Sequence, residues 1–233
     1  MKKYTAIVLA AGAGKRMNTK VHKQYLEVAG KPVLYYTLKA FEESAVSDIV
    51  LVTGAGEEDY CQKQIIKKYG FEKVKAIVTG GKERYHSVYQ GLLAAEGADY
   101  VLIHDGARPL VDSAIIQRSM DAVLKYQACV VGMPVKDTIK IVNEEQFAKE
   151  TPDRNKLWQV QTPQTFSYIL VKEAYQKMLE QEDTAITDDA MVVERMTSVP
   201  VKLIEGSYRN IKITTPEDLL VAEAYLLGRD KNI

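Results

Sequence analysis

Between residues 7 and 24 an apolar run ends in small residues and then in cations: Ile-Val-Leu-Ala-Ala-Gly-Ala-Gly-Lys-Arg-Met-Asn-Thr-Lys-Val-His-Lys-Gln. Ala10, Ala11, Gly12 and Gly14 leave the backbone N–H groups uncovered, so that a polyphosphate can approach them closely. Lys15, Arg16 and Lys23 bring positive charge to the same mouth. This chemistry suits a nucleoside triphosphate better than a neutral ligand. The loop is neither of the two commonest phosphate loops. Met17 stands where a dinucleotide fingerprint needs its third glycine, and the Walker spacing with Lys-Ser/Thr is absent. Taken alone, Gly-x-Gly after a strand is also compatible with an ordinary tight turn.

Three further segments carry polar groups at element boundaries. Gly80-Gly81-Lys82-Glu83-Arg84-Tyr85-His86-Ser87 enters a helix after a strand, and Gly81 N–H with the Ser87 hydroxyl suits the polar edge of a base; a turn with a helix cap is the plain alternative. Asp105 and Arg108 flank a tight turn closed by Pro109, either as a salt bridge or as a pair for a hydroxyl or metal and for an anion. Lys212 lies in Ile211-Lys212-Ile213, read as a short apolar strand, where a lysine needs a partner. Thr162 and Thr187 sit in smaller polar islands of the kind that usually cap or turn.

The elements that must position these groups alternate. Apolar runs at 6–9, 49–53, 74–78, 100–104 and 128–133 are separated by helical patterns. Val33, Leu34, Thr37, Leu38 and Phe41 fall on one stripe, and Ile115, Ile116, Met120, Val123 and Leu124 on another. This implies an α/β fold, a mainly parallel sheet with helices on both faces, whose ligands bind beyond the carboxyl ends of the strands. Residues 134–155 break the rhythm. Val135, Thr138, Ile139, Ile141 and Val142 suggest strand pairs in charged surroundings, read as a protruding β-arm that needs a partner surface. Further along, a helix is expected over 167–182, a short helix after Thr187, a strand over 200–204 and a last helix from Pro216.

Bulk properties narrow the class. The 233 residues make one α/β domain, and 31 Lys+Arg against 31 Asp+Glu leave no net field to draw nucleic acid or an anionic membrane. No apolar run is long enough to span a bilayer, and no signal peptide is read ahead of the first strand. Two cysteines, Cys61 and Cys129, do not make a disulfide framework, so cytoplasm is the expected compartment. His22, His86 and His104 lack zinc-ligand spacing.

Taken in order, seven motifs resemble the 2-C-methyl-D-erythritol 4-phosphate cytidylyltransferases of the non-mevalonate isoprenoid pathway. They are Leu-Ala-Ala-Gly-Ala-Gly-Lys-Arg-Met, Lys23-Gln24, Gly80-Gly81-x-x-Arg84-x-x-Ser87-Val88, His104-Asp105-Gly106-Ala107-Arg108-Pro109, Asp153-Arg154-Asn155-x-Leu157-Trp158-x-x-x-Thr162-Pro163-Gln164, Ile186-Thr187-Asp188 and Asn210-Ile211-Lys212-Ile213-Thr214-x-Pro216-Glu217-Asp218-Leu219. The resemblance covers essentially the whole chain. It implies a Rossmann-like nucleotidyltransferase fold, a homodimer clasped through the arms, and a reaction of CTP with methylerythritol 4-phosphate that needs Mg²⁺ and releases pyrophosphate.

Carried over by motif, Ala10, Ala11, Gly12, Gly14 and Lys15 hold the triphosphate, while Gly81 and Ser87 address cytosine. Arg16 and Lys23 stabilise the transition state, with Lys212 acting from the far side. Asp105, Arg108, Thr162 and Thr187 line the substrate pocket, and Arg154 and Thr138 on the arm grip the substrate phosphate of the neighbouring site. The metal's protein ligands are left open, the triphosphate being its main holder. His22 replaces the proline usual before the loop lysine, which implies a looser loop between Thr19 and Lys23. Ribitol-5-phosphate cytidylyltransferases are the nearest other family, but they tend to carry Gly-Gly-Thr-Gly-Thr-Arg and Ser-Val-Arg-Pro at the first and fourth loops. A non-catalytic nucleotide-binding protein would have to explain why Lys23 and Lys212 are both kept.

Overall fold

The computed structural model describes residues 2–12, 17, 22–181 and 185–229. Gly14, Lys15 and Arg16, and the stretch 18–21 before His22, lie outside the described residues, and with them most of the loop from Thr19 to Lys23.

Strand β1 (Tyr4–Ala10) leads through the first loop to a short turn, Lys23–Tyr25, and then to a small hairpin, β2 (Glu27–Val28) and β3 (Lys31–Pro32). There follow α1 (Val33–Glu42), β4 (Asp48–Thr53), α2 (Glu58–Tyr60, continued by a π-helical turn Cys61–Lys67), β5 (Val74–Thr79), α3 (Arg84–Ala94) and β6 (Tyr100–Asp105). Helix α4 (Ser113–Tyr126) and β7 (Ala128–Pro134) come before a two-stranded ribbon, β8 (Ile141–Val142) and β9 (Ala148–Glu150). Strand β10 (Trp158–Ser167), α5 (Tyr168–Glu180), α6 (Asp189–Met196), β11 (Lys202–Glu205) and α7 (Pro216–Arg229) complete the order.

The seven-stranded sheet runs β11-β7-β10-β6-β1-β4-β5. β1 pairs in parallel with β4 on one side and β6 on the other, so the chain reverses its winding direction at β1. Crevices at such switch points, beyond the carboxyl ends, are where open α/β sheets bind ligands. Alternation along β1 assigns the two faces. Ala6 and Val8 pack with Leu34, Leu38, Ile65 and Ile116 of α1, α2 and α4. Ile7 packs with Val88, Leu92, Val171, Tyr175 and Val193 of α3, α5 and α6 on the other face. The α1 stripe read from spacing is buried throughout. On α4, Leu124 is an exception: it is exposed, and Ser119 takes a buried position because its hydroxyl donates to the Ile115 carbonyl.

Two elements differ from expectation. β10 is a ten-residue strand at the middle of the sheet, antiparallel to both β6 and β7. Its polar, proline-containing sequence hides it, and its register shifts between Val160 and Gln164, which keeps Pro163 out of the ladder. Ile211–Lys212–Ile213, expected as a strand, is irregular backbone. One hydrogen bond from Ile213 N–H to the Ala107 carbonyl holds it, and Ile213 is buried beside Val33, Leu110 and Ala222. The ribbon falls inside the expected arm, and residues 136–151 are exposed throughout.

Candidate active site

A cleft of about 430 Å³ opens at the carboxyl ends of β1 and β6. One wall is the first loop, with Ala10, Ala11 and Gly12; a second is the α3 entry, with Gly81, Glu83, Arg84 and Ser87; Lys23, Asp105 and Lys212 close the rest. The two loops touch tightly. A Cβ on Gly80 would lie 2.5 Å from Ala11 Cβ and 2.7 Å from Ser87 Oγ, so only glycine lets them meet. Gly81 N–H donates to Ser87 Oγ at 3.1 Å, so in this structure the pair read as base-facing is satisfied internally.

Lys23 is set by its neighbours. Gln24 donates to the Ala10 carbonyl, Tyr25 is buried in the core, and Lys23 Nζ itself donates to the Ile213 carbonyl at 2.8 Å. That carbonyl belongs to the residue after Lys212.

Asp105 is the electrostatic centre. Lys212 Nζ lies 3.0 Å from its Oδ2, Arg108 Nε 3.4 Å from the same oxygen, and Arg84 Nε 3.6 Å from Oδ1. Burial alone would raise the Asp105 carboxyl, but Lys212, then Arg84 and Arg108, outweigh it and hold it well below the usual carboxylate range. Lys212 thus has the partner its surroundings demanded.

Behind Asp105 a relay fixes the turn. Burial lowers His104 to about 3, so its ring is neutral. The Arg108 carbonyl can only accept, so Nε2 carries the proton and donates to it at 3.3 Å. Nδ1 then accepts from the Thr162 hydroxyl at 3.0 Å, and that hydroxyl accepts from Asp105 N–H at 3.1 Å. Thr162, 3% exposed, is therefore part of the supporting wall.

Arg108 faces a neighbouring cleft of about 370 Å³ that shares Lys212 with the first, and its Nη1 donates to the Asn210 carbonyl at 2.8 Å. Thr187 is exposed and lines neither cleft. Thr138 and Arg154 are exposed on the arm and line neither cleft, with Arg154 Nη1 donating to the Lys136 carbonyl.

One residue quoted only as part of a motif turns out to be central. Arg84 lines the cleft and forks onto Asp189, with Nη1–Oδ1 at 2.7 Å and Nη2–Oδ2 at 2.8 Å. Asp189 is fully buried and also accepts from Tyr175 OH at 2.5 Å. Burial opposes the charge on Arg84, but Asp189 and then Asp105 outweigh it and raise its pKa. The sequence signal was the placement of Arg84 at the start of a helix after Gly-Gly. Its partner, 105 residues away, left no local trace.

Among the described residues no group of three His, Cys, Asp or Glu side chains is arranged to hold a metal ion. Two carboxylates, Glu83 and Asp105, line the cleft. That donor set suits a magnesium ion carried mostly by phosphate oxygens and water. Neither histidine nor cysteine is among the described lining residues. Backbone N–H groups and cations around this cleft suit an anionic ligand, and its described lining offers no histidine or cysteine nucleophile.

Comparison with known proteins agrees with this geometry. A sequence profile of the 2-C-methyl-D-erythritol 4-phosphate cytidylyltransferase family matches residues 4–228. A protein of that name from Lachnoclostridium phytofermentans is 52% identical over 226 residues, covering 97% of each chain. One from Alkaliphilus oremlandii is 50% identical over 231 residues, covering 98% of this chain and 97% of its own. Among solved structures, the 4-diphosphocytidyl-2C-methyl-D-erythritol synthase from Anaerococcus prevotii superposes with a TM-score of 0.85 at 35% identity, covering 97% of this chain and 96% of that one. The 2-C-methyl-D-erythritol 4-phosphate cytidylyltransferase of Thermus thermophilus gives 0.77 at 32% identity, covering 94% and 98%.

Proposed function

The chain belongs to the 2-C-methyl-D-erythritol 4-phosphate cytidylyltransferase family, and from that membership we infer that it transfers the cytidylyl group of CTP to 2-C-methyl-D-erythritol 4-phosphate. The products are 4-diphosphocytidyl-2-C-methyl-D-erythritol and pyrophosphate. The observation that carries this reading is the cleft itself, a small-residue loop at a strand end facing Lys23, Lys212 and Arg84.

The nucleophile is a phosphate monoester, already anionic, so no general base is needed. Its oxygen forms the new bond to the α-phosphorus of CTP as the bond from that phosphorus to the bridging oxygen breaks, and the electron pair leaves with pyrophosphate. The difficulty is bringing two anions together around a crowded phosphorus. Positioning and positive charge supply the catalysis.

In this proposal the N–H groups of Ala10, Ala11 and Gly12, with Gly14 and Lys15, cradle the triphosphate. Lys23 and Arg16 stabilise the charge that builds at the α-phosphate, and Lys212, oriented by Asp105, joins them. For cytosine to be read by Gly81 and Ser87, the hydrogen bond between them must give way to the base. Mg²⁺, when bound, neutralises phosphate charge, with Asp105 and Glu83 as the carboxylates within the cleft wall.

The arm supports a homodimer. Ile141, Val142 and Phe147 are 45%, 52% and 68% exposed on a two-stranded ribbon that is too small to be stable alone. A second copy covers them in this reading, and Arg154 and Thr138 reach the substrate phosphate in its cleft. Among the described residues no helix is long and apolar enough to cross a membrane, and a cytoplasmic enzyme of small molecules is the setting we propose.

Pyrophosphate release with CTP and Mg²⁺ tests the reading, run in parallel with methylerythritol 4-phosphate and ribitol 5-phosphate. Turnover with the first alone is expected. Turnover only with ribitol 5-phosphate moves the substrate assignment, and silence with both returns the non-catalytic alternative.

A further inference from the structure

Glu57, in the loop after β4, is not among the residues assigned above to catalysis or substrate, yet several groups around Lys23 end on it. Tyr25 OH donates to its Oε2 at 2.8 Å, and His22 Nδ1 lies 2.5 Å from its Oε1. Gly54 N–H, at the carboxyl end of β4, donates to Oε2 at 3.0 Å. His22 directly precedes Lys23 and Tyr25 follows two residues later, so the carboxylate is bonded to the lysine's turn through Tyr25 and abuts it through His22, whose Nδ1 makes no hydrogen bond. The grip is built closely. A Cβ on Gly54 would lie 2.7 Å from Glu57 Oε2, and Glu57 N–H donates back to the Gly54 carbonyl at 3.1 Å. The Tyr25 ring is buried and meets Tyr60 edge-on, 5.0 Å between centroids.

We propose that Glu57 is a positioning residue for Lys23, fastening the lysine's turn to the end of β4 so that the ammonium is held at the cleft before substrates arrive. The proposal rests on the role given above to Lys23. Lysine has a long flexible stem, and a group that stabilises a transition state by charge must be fixed in place before the reaction. His22 fits the same account. Its φ of −63° is the value a proline ring imposes, so the chain keeps the extended geometry at this position and sets the imidazole against the Glu57 carboxylate.

The test compares kcat and KM for CTP in Glu57→Ala, in Glu57→Ala/His22→Pro and in Lys23→Ala, with Tm measured for each. Glu57→Ala is expected to lower kcat by about tenfold or more while KM moves by less than about threefold, because a misplaced group of this kind costs up to about 100-fold. Adding His22→Pro recovers part of the loss by restricting the turn from the backbone. A Glu57→Ala kcat within about twofold of wild type overturns the proposal, as does a rise in KM at unchanged kcat. Should Glu57→Ala fail to fold, His22→Ala at a partly exposed position carries the test: kcat reduced at constant KM supports it, and unchanged kcat overturns it. Lys23→Ala separates the two levels. If it is crippled while Glu57→Ala is normal, only the role of Glu57 falls. If Lys23→Ala turns over normally, the reading of Lys23 falls first.

Discussion

Removing the Asp189 carboxylate by Asp189→Ala probes the wall of the cleft where the account is most quantitative. The side chain is fully buried and accepts from Arg84 at 2.7 and 2.8 Å and from Tyr175 at 2.5 Å. Breaking a buried ion pair from one side costs about 3–5 kcal/mol. Arg84 opens onto the cleft with 31% of its side chain exposed, so water resolvates part of its charge and the ionic share falls below that range, to about 2 kcal/mol. The Tyr175 hydroxyl has no such outlet, being fully buried, and leaving it unpaired adds about 1–3 kcal/mol. A total of about 3–5 kcal/mol lowers Tm by about 6–20 °C for a chain of this size. Urea and thermal unfolding measure it. Asp189→Asn keeps an acceptor for Tyr175 and should lose roughly half as much, whereas Arg84→Met strands a buried carboxylate and should lose at least as much as Asp189→Ala. An Asp189→Ala protein within about 1 kcal/mol of wild type would refute the claim that this fork holds the α3 entry to α6.

Other perturbations test other parts. Gly80→Ala forces Ala11 and Ser87 apart, and KM for CTP should rise by about tenfold, the equivalent of a modest overpacking cost; an unchanged KM removes the loop contact from the account. His104 is lowered from 6.5 to about 3 by burial, so the unfolded chain takes up a proton there that the folded chain refuses. Its share of stability is complete above pH 6.5 and is lost as the pH falls toward 3, at up to about 1.4 kcal/mol per pH unit. Urea denaturation of His104→Gln between pH 6 and 4 should therefore show a shallower slope than wild type, by about one proton's worth; equal slopes count against a neutral buried ring. Val142→Glu/Phe147→Glu places charge on the exposed ribbon, and sedimentation should find monomer with little turnover if the arm completes a neighbouring site. A dimer of full activity would remove the arm from that role.

The parts of the fold legible in the sequence were those with a local signature. β1, β4, β6 and β7 are short apolar runs, and the α1 stripe has helical spacing, so burial followed from periodicity; β5, an apolar run at the sheet edge, is only half-buried. β10 had no such signature. Gln161, Thr162, Gln164 and Thr165 look like a loop, and the reasons they are buried are distant: Gln161 donates to the Ser207 carbonyl, Thr162 bonds His104, and Gln164 bonds Asp188. The site divides in the same way. Lys23, Asp105 and Lys212 were legible because a cation or carboxylate beside a strand end is conspicuous. The burial of Thr162 behind Asp105, the fork of Arg84 on Asp189 and the grip of Glu57 on the Lys23 turn depend on contacts 57, 105 and 32 residues apart. Periodicity carries no information at that range.

The central claim is that fixed positive charge, with Lys23 foremost, drives the transfer. Its most direct measurement is kcat for pyrophosphate release from CTP and methylerythritol 4-phosphate at saturating Mg²⁺, in wild type and Lys23→Ala. The account predicts a fall of about 100- to 1,000-fold with the fold intact, the size seen when a preorganised charge-stabilising donor is removed. A Lys23→Ala enzyme that keeps its wild-type kcat would contradict it.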